Sequence, residues 1–393
     1  MRSDNQHRRR ARLRAIVLAA AVLAGCSQPT DPGRVLAMAV ASRNSAPYKI
    51  LDLGTLGYPG PFGDAPRSTA LAVNQRGQVV GWAQLPAGTH AFLWQDGSMR
   101  DLGALPRAFP EYAAATDIND QGQVVGRSVT AAGSDHAFLW EDGVMQDLGT
   151  LSGGYSSAQR INERGQILGY SDGSSVLWDN GAITALGIAA QAMNDRGQVV
   201  GDLNTGSTIH AAIWEAGVVT DLGTLDGGDS SWARDISNSG WVVGGSRTAT
   251  GEVHAVRWGQ GELTDLGTLP GDSRALGLHV NPRGQVAGQS SGTSGRHAFQ
   301  WHDGVMQQIG GLTVSSMNAP GVVTVVLAFG GAAAWWCGAL TELPPMGDHH
   351  VEAVDISNAG WIVGLGVPLG AAGGNHAALW LPGGEAARVA HGR

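Results

Sequence analysis

The sequence predicts an all-β protein: a β-propeller of about eight four-stranded blades, closed by its N-terminal strand. Three observations predict this fold. A repeat that ends in Trp recurs at intervals of 35 to 46 residues, and each copy contains four short strand-forming runs. The array also begins with a lone fourth strand, and its last copy ends after the third strand. Four antiparallel strands in a period of about 43 residues are typical of a propeller blade.

Each copy of the repeat carries recognisable sequence patterns. A His-Ala-Phe-Leu-Trp pattern, with variants, ends at Trp94, Trp140, Trp178, Trp214, Trp258, Trp301, Trp336 and Trp380. An Ile-Asn-x-x-Gly-Gln-Val-Val-Gly pattern precedes each Trp, over residues 73–81, 118–126, 161–169, 193–201, 236–244, 280–288, 317–325 and 356–364. An Asp-Leu-Gly-Thr-Leu pattern, again with variants, begins at Asp52, Asp101, Asp147, Asp221 and Asp265.

The second copy illustrates the four strands, which we name a to d. Runs rich in Val, Ile, Phe, Trp and Thr predict strand a over 114–119, strand b over 123–128, strand c over 136–140 and strand d over 144–151. The a–b and c–d links are three residues long and contain Gly, which suits hairpin turns. No helical periodicity follows residue 25, and the 60 Gly of the chain oppose helix formation.

The two ends of the repeat array favour a closed ring. The array opens with a lone strand d over 48–56, and it finishes with a strand c over 376–380. A first strand that completes the last blade would close a propeller, whereas a solenoid, the alternative, would need polar capping units. Complete a–b–c triplets number eight, but the third and fourth copies are short and the seventh is eroded, so seven blades stays an alternative.

The His-Ala-Phe triplet is complete at His90, His136 and His297. In this motif the chain resembles the HAF-repeat family, a group of bacterial proteins expected outside the cell, and the resemblance covers nearly all of residues 48–393. It implies a repeated architecture and export. It brings no established activity, cofactor or catalytic residue.

Residues 1–25 have the pattern of a lipoprotein signal peptide. Five Arg between positions 8 and 14 precede nine apolar residues, 15–23, a run too short to span a bilayer. Leu23-Ala24-Gly25-Cys26 then matches a lipobox, in which the Cys thiol receives the lipid. We therefore expect lipidation at Cys26, a flexible tether over 26–47 and the propeller over 48–393. Ser27 favours sorting to the outer membrane or the cell surface.

The charge of the chain bears on its partners. Removal of residues 1–25, which hold six Arg and one Asp, would change the formal net charge from −8 to −13. Such an acidic surface repels nucleic acid and anionic lipid. We therefore expect a monomer without a nucleic-acid partner, attached to the membrane through its lipid alone.

Residues that recur from copy to copy are expected to build blades rather than to perform chemistry. The strand-c His residues are spread around the ring, too far apart to share a metal ion, so we expect them to bond a neighbouring strand. The Asn of strand a is expected to bond the backbone of its own turn. Residues 288–292 match Gly-x-Ser-x-Gly, but they end a strand instead of turning into a helix. The sequence thus predicts no catalytic residue, metal site or cofactor.

Two regions are candidates for binding. The d–a and b–c connections share one side of the disc, which we call the loop face, and they vary in length and content, as binding loops on a rigid scaffold do. The candidate residues there are Tyr58, Phe62, Phe109, Tyr112, Tyr155, Trp232, His349 and His350. The a–b and c–d turns share the opposite side, the turn face.

The second candidate region is the central channel, which strand a should line. The residue before the Ile-Asn position differs between copies, and its polar members form a candidate channel mouth of Asp117, Arg160, Asp235, His279 and Asp355. A ring that mixes Asp, Arg and His could bind a polar ligand. Two of its carboxylates could also perform acid–base chemistry at a suitable separation.

These features favour one function over two alternatives. We expect an exported, membrane-anchored binding scaffold for protein or glycan of the cell envelope. A propeller-type polysaccharide lyase or hydrolase is one alternative, and a passive envelope protein without a specific ligand is the other. Since no catalytic constellation stands out, the sequence favours binding over catalysis.

Overall fold

The computed structural model describes residues 48–57, 65–106, 111–347, 350–369 and 374–383, and all helical or extended structure in these ranges is β-strand. The predicted signal peptide, Cys26 and the tether lie outside the described residues. The strands are β1 Tyr48–Asp52, β2 Ser68–Val73, β3 Val79–Leu85, β4 Gly88–Gln95, β5 Ser98–Gly103, β6 Glu111–Ile118, β7 Val124–Val129, β8 Asp135–Glu141, β9 Val144–Asp147, β10 Ser156–Ile161, β11 Ile167–Ser171, β12 Ser174–Asp179, β13 Ala182–Ala185, β14 Ala189–Met193, β15 Val199–Asn204, β16 Ile209–Glu215, β17 Val218–Asp221, β18 Ser231–Ile236, β19 Val242–Arg247, β20 Val253–Gly259, β21 Glu262–Gly267, β22 Asp272–Val280, β23 Val286–Gly292, β24 Gly295–His302, β25 Val305–Gln308, β26 Thr313–Met317, β27 Val323–Val326, β28 Ala332–Trp336, β29 Ala339–Glu342, β30 Val351–Ile356, β31 Ile362–Gly366 and β32 His376–Pro382.

The strands pair as the repeat predicts, in a β-propeller arrangement. Four sheets have four antiparallel strands each, and two sheets have eight. Each eight-stranded sheet consists of two antiparallel halves that meet in a short parallel contact, β4 with β6 in one and β20 with β22 in the other. No described helix is long and apolar enough to cross a membrane.

The N-terminal strand completes the sheet formed by the C-terminal end of the repeat array. β1 pairs antiparallel with β32, with Tyr48 opposite Pro382 and Ile50 opposite Trp380. The predicted closure is therefore confirmed, although β1 ends at Asp52 instead of residue 56. Because β1 is a strand d, Tyr48 lies at the turn face.

Both d strands whose ranges were predicted are shorter than expected, and the second copy shows why. β9 ends at Asp147, four residues before the predicted boundary. Asp147 Oδ1 accepts a hydrogen bond from Gly149 N at 2.8 Å, and Gly149 has a φ of 70°. This side-chain turn bends the chain out of the sheet, so the Asp-Leu-Gly pattern ends a strand instead of continuing it.

The hairpin turns have the predicted chemistry. In the c–d turn of the second copy, Asp142 has a φ of 50° and Gly143 a φ of 91°. Two successive positive φ angles are the signature of a type I′ turn, which matches the twist of the strands it joins.

The hydrophobic core lies between the four-stranded units of successive copies. One cluster joins Val80 and Leu93 of the first copy to Val124, Phe138 and Trp140 of the second. Phe138 is fully buried, and so are the equivalent Phe92 and Phe299. Burial of such a side chain contributes roughly 1.5–3 kcal/mol, so the His-Ala-Phe-Leu-Trp strand packs neighbouring blades together.

Candidate functional site

The strand-c His residues are structural. His136 Nδ1 lies 2.8 Å from Asp147 Oδ2, on the neighbouring strand d. The same pairing occurs in His90–Asp101, His210–Asp221, His254–Asp265 and His376–Asp52. His297 bonds Asp272 instead, because Gln308 replaces the strand-d Asp in its copy. The expected bond to a neighbouring strand is therefore confirmed in five pairs.

The repeated Asn residues hold adjacent blades together as well as forming turns. Asn119 Oδ1 accepts hydrogen bonds from Gln121 N and Gln123 N within its own turn, as expected. Its Nδ2 group also donates to the backbone oxygen of Asn162, in the next copy, at 3.2 Å. Equivalent bonds link Asn74 to Asn119, Asn162 to Asn194, Asn194 to Ser237 and Asn318 to Ser357.

An axial cavity lies inside the innermost strands. Its volume is about 690 Å³, and residues from the eight strands β2, β6, β10, β14, β18, β22, β26 and β30 line it. Each of these strands has a β-bulge opposite its partner strand b. In seven of these strands the bulge residue and the residue after it both line the cavity, whereas β6 contributes Thr116. Asn238, Pro282 and Asn358 of the a–b turns also contribute, so the cavity extends to the turn face.

The cavity brings together the predicted channel-mouth residues. Arg160, Asp235, His279 and Asp355 line it. Asp117 is not part of the lining, but it lies close enough for the charges of Arg160 and Asp355 to act on its carboxylate. The ring thus brings four of the five predicted side chains to one cavity and places the fifth beside it.

The three carboxylates of this set also bridge blades, a role that the sequence did not reveal. Asp117 Oδ2 accepts a hydrogen bond from Ile161 N at 2.9 Å, across the boundary to the next copy. Asp235 accepts likewise from Val280 N at 2.9 Å, and Asp355 from Val73 N at 3.1 Å. An Asp directly before the Ile-Asn position is the signal that could have indicated it.

Burial shifts the pKa of two channel groups. It raises the pKa of Asp117 to about 6, against the opposing effects of Arg160 and the Ile161 amide. It lowers the pKa of His279, although Asp235 lies 4.0 Å away and opposes the change. His279 is therefore mostly uncharged at neutral pH, and the Asp117 carboxylate gains a proton at a higher pH than an ordinary Asp does.

The predicted loop-face residues have mixed positions. Tyr58, Phe62, Phe109 and His349 lie outside the described residues. Tyr112 and Trp232 are not in loops: they lie near the starts of β6 and β18, half-buried, because strand a begins earlier than predicted. The Tyr112 hydroxyl accepts a hydrogen bond from Arg127 at 2.9 Å. Tyr155, 49% exposed, and His350, also exposed, do lie in d–a connections.

Two exposed apolar residues on the loop face were not among the candidates predicted from the sequence. Phe329 is fully exposed in the b–c turn between β27 and β28, with a φ of 66°. Leu369, 71% exposed, follows β31 in the next b–c connection. The two connections are joined through the d–a segment between them, since Gly330 lies beside His350 and Gly347 beside Leu369. A Phe within a glycine-rich link is the signal that could have revealed this patch.

The Gly-x-Ser-x-Gly sequence ends strand β23, as the sequence predicts. Ser290 of the Gly-x-Ser-x-Gly sequence is buried within β23, where its hydroxyl accepts a hydrogen bond from Leu269 N at 3.1 Å. In the described part of the chain, no three His, Cys, Asp or Glu side chains are grouped so that they could hold a metal ion.

Comparison with solved structures identifies propeller folds. The chain is similar to the Dos1 propeller, with a TM-score of 0.50 at 12% identity over 86% of this chain and 95% of that one. Two weaker similarities are to the computationally designed Ika8 protein (TM-score 0.46, 19% identity, 84% and 99% covered) and to TolB from Acinetobacter baumannii (0.37, 13%, 72% and 63%). The chain thus covers less than two thirds of that TolB. No protein-family model matches the chain, and no curated protein matches its sequence.

Proposed function

We propose that this protein is an exported HAF-repeat lipoprotein, anchored through Cys26, whose β-propeller is a binding scaffold for protein or glycan of the cell envelope. The loop face carries the binding surface. The outer membrane or the cell surface is the location that the lipobox and Ser27 favour.

The proposed disc has eight blades. Eight a strands line the axial cavity, and each is followed by its own strand b. The two eight-stranded sheets each divide at a parallel contact of one or two residue pairs, too short to make a continuous blade. Imaging of the purified protein along the ring axis would count the blades, and seven density lobes would contradict this number.

The observation that carries the binding proposal is the position of the exposed apolar side chains relative to the chain's N-terminal exit. Phe329 and Leu369 lie on the loop face, while Tyr48 lies at the turn face. A tether that leaves from the turn face lets the disc present the loop face away from the membrane. Apolar side chains exposed together on one surface are typical of a contact surface.

A pair of double variants tests the loop face. The variant Phe329→Ser with Leu369→Ser removes the apolar patch, and Val218→Ser with Val305→Ser is the matched control, because both valines are 64% exposed on the outer strands. Wild type and both variants would be incubated with an envelope extract of the native host and with a glycan array. We expect a bound protein or glycan that the patch variant loses at least roughly tenfold while the control keeps it. Equal binding by both variants would contradict the loop face as the binding surface. No specific ligand for the wild type would contradict the proposal and favour a passive envelope protein.

The lipid anchor is tested separately, by mass spectrometry of the mature N-terminus and by membrane fractionation. We expect a lipid-modified Cys26 in the wild type and a soluble protein after Cys26→Ser. The chain has two cysteines, so a mature Cys26 found unmodified, or in a disulfide with Cys337, would overturn the anchor without affecting the loop-face experiment.

A further inference from the structure

The wall of the axial cavity has a polar side and an apolar side. In chain order, the residues at the eight bulges are Leu71, Thr116, Gln159, Gln191, Arg234, Leu278, Ser315 and Val354. The four polar residues from Thr116 to Arg234 come from consecutive repeats, and so form one continuous side. Leu278, Val354 and Leu71 come from the rest of the ring, with Ser315 between the first two, and make this side mainly apolar at the bulge positions. All eight residues line the cavity. The residues that follow these four bulges also line the cavity, and three of them are polar: His279, Ser316 and Asp355.

The polar side has unused hydrogen-bonding capacity. Gln159, Arg160 and Gln191 are exposed to the cavity, and their side chains make no hydrogen bond to another described residue. Arg234 differs, since its Nη1 lies 3.2 Å from Asp202 Oδ2. An Arg guanidinium carries five donors and no acceptor, and each Gln amide adds two donors. The unused capacity on this side therefore consists mainly of donors.

The carboxylates of the cavity are already engaged. Asp235 Oδ1 accepts from Ile236 N at 2.9 Å, and its Oδ2 accepts from Val280 N. Asp355 Oδ1 accepts from the Ser316 hydroxyl at 3.3 Å. The bonds with Val280 and Ser316 reach neighbouring blades. These two carboxylates therefore already accept hydrogen bonds, whereas the donors of Gln159, Arg160 and Gln191 are not used by another described residue.

We propose that the axial cavity binds a small amphipathic carboxylate. The ligand's carboxylate accepts the two parallel hydrogen bonds of the Arg160 guanidinium, with the amides of Gln159 and Gln191 at its flanks. Its apolar body lies against Leu71 and the other apolar bulge residues. A cavity of about 690 Å³ is of the size that holds small molecules in proteins. This site is separate from the loop face, so the outcome of its test does not depend on the function proposed above.

Calorimetric titration of the purified propeller with octanoate tests the site. Acetate has the same charge without the apolar body, and octylammonium has the apolar body with the opposite charge. The variants are Arg160→Gln, which removes the guanidinium, and Leu71→Ser, which makes the apolar wall polar. The matched control is Arg296→Gln, because Arg296 is an exposed arginine of β24 that does not line the cavity.

We expect octanoate to bind in preference to both other probes. Arg160→Gln should weaken binding about tenfold or more, as the loss of a charge-assisted pair does, and Leu71→Ser severalfold, while Arg296→Gln leaves it unchanged. Octanoate that does not bind, that binds Arg160→Gln as tightly as wild type, or that binds less tightly than octylammonium would overturn the proposal. The last result would assign the cavity to a cation. Circular dichroism of each variant checks that it is folded.

Discussion

His376 Nδ1 lies 3.0 Å from both carboxylate oxygens of Asp52, although 324 residues separate the two in sequence. The same pair elsewhere spans a single hairpin, as between His210 and Asp221, which are 11 residues apart. In other copies this bond joins strand c to the strand d of the same hairpin. Here it joins the two ends of the repeat array. β1 is thus held in the ring by the same interaction that joins strands c and d in four other copies.

The position of this bond predicts an unequal effect of equivalent substitutions. His376→Asn and His210→Asn should each cost about 1 kcal/mol in the free energy of unfolding, the usual contribution of one hydrogen bond. His376→Asn should in addition speed amide hydrogen exchange in β1, because no covalent turn joins β1 to β32. Hydrogen-exchange mass spectrometry of residues 48–52 checks this expectation. Identical exchange in the two variants would show that β1 is secured by other contacts alone.

His90 predicts a pH-dependent stability. Its Nδ1 bonds Asp101 at 2.9 Å, and its Nε2 bonds Glu111 at 2.7 Å. The bond to Asp101 raises the pKa of His90 above its usual 6.5, against the effect of burial. A raised pKa in the folded protein means that the extra stability is fully present below pH 6.5 and disappears as the pH rises through the folded-state pKa.

His90→Gln should therefore lower the free energy of unfolding more at pH 6 than at pH 9. The difference should be roughly 1 kcal/mol, because both acidic partners are more than a third exposed and water screens them. Urea unfolding at several pH values measures it. His302→Gln is the control, since His302 lies 3.4 Å from a largely exposed carboxylate. A constant difference across this range would contradict the assignment.

The turn of strand a predicts a coupled pair of substitutions. In two copies, Ser237 and Ser357 replace the repeated Asn, and Trp241 and Trp361 replace the Gln four residues later. The short Ser side chain does not make the Asn bond to the next blade, but the Trp ring contacts that blade. Trp361 packs so closely on Gly77 of the next copy around the ring that a methyl group at position 77 would overlap the Trp ring. Hydrogen bonding across the blade boundary is thus exchanged for packing.

Asn119→Ala should cost about 2–4 kcal/mol, since it leaves two turn amides and the Asn162 carbonyl without their buried partner. The double variant Asn119→Ser with Gln123→Trp should be more stable than the sum of its single variants predicts. Urea unfolding of all four proteins gives this coupling energy. Additive effects would mean that the Ser–Trp pair depends on other differences in its own copies.

The Gly that ends the Gly-Gln-Val-Val-Gly pattern predicts intolerance of any side chain. A methyl group at Gly126 would lie 2.0 Å from the Ala114 backbone oxygen, because strand a bulges toward strand b at that point. Gly126→Ala should therefore destabilise the protein by at least about 2 kcal/mol. Gly331→Ala is the control, since its nearest neighbour would be a Leu327 side-chain carbon at 3.4 Å. Thermal unfolding compares the two, and similar melting temperatures would contradict the close approach.

The repeat made much of the fold predictable, because each blade obeys local rules. Alternating apolar residues, Gly-containing turns and the complementary ends of the array are properties of short segments, and they predicted the strands, the hairpins and the closure of the ring by β1. The His–Asp bond was also within reach, since both residues recur in adjacent strands of one hairpin. Strand ends were less predictable. Tyr112 and Trp232 appeared to belong to loops because pairing with strand b, which extends strand a, depends on a neighbour and not on their own sequence.

The sequence by itself thus determined a repeated β architecture, its closing strand and the identity of the residues around the axis. Tertiary structure alone decided what those residues do. Asp117 and its equivalents bond the next blade, Arg160 faces the cavity, and Phe329 and Leu369 lie on the same face. The physical reason is that these relationships join atoms dozens of residues apart, and only the ring brings such atoms within a few ångströms.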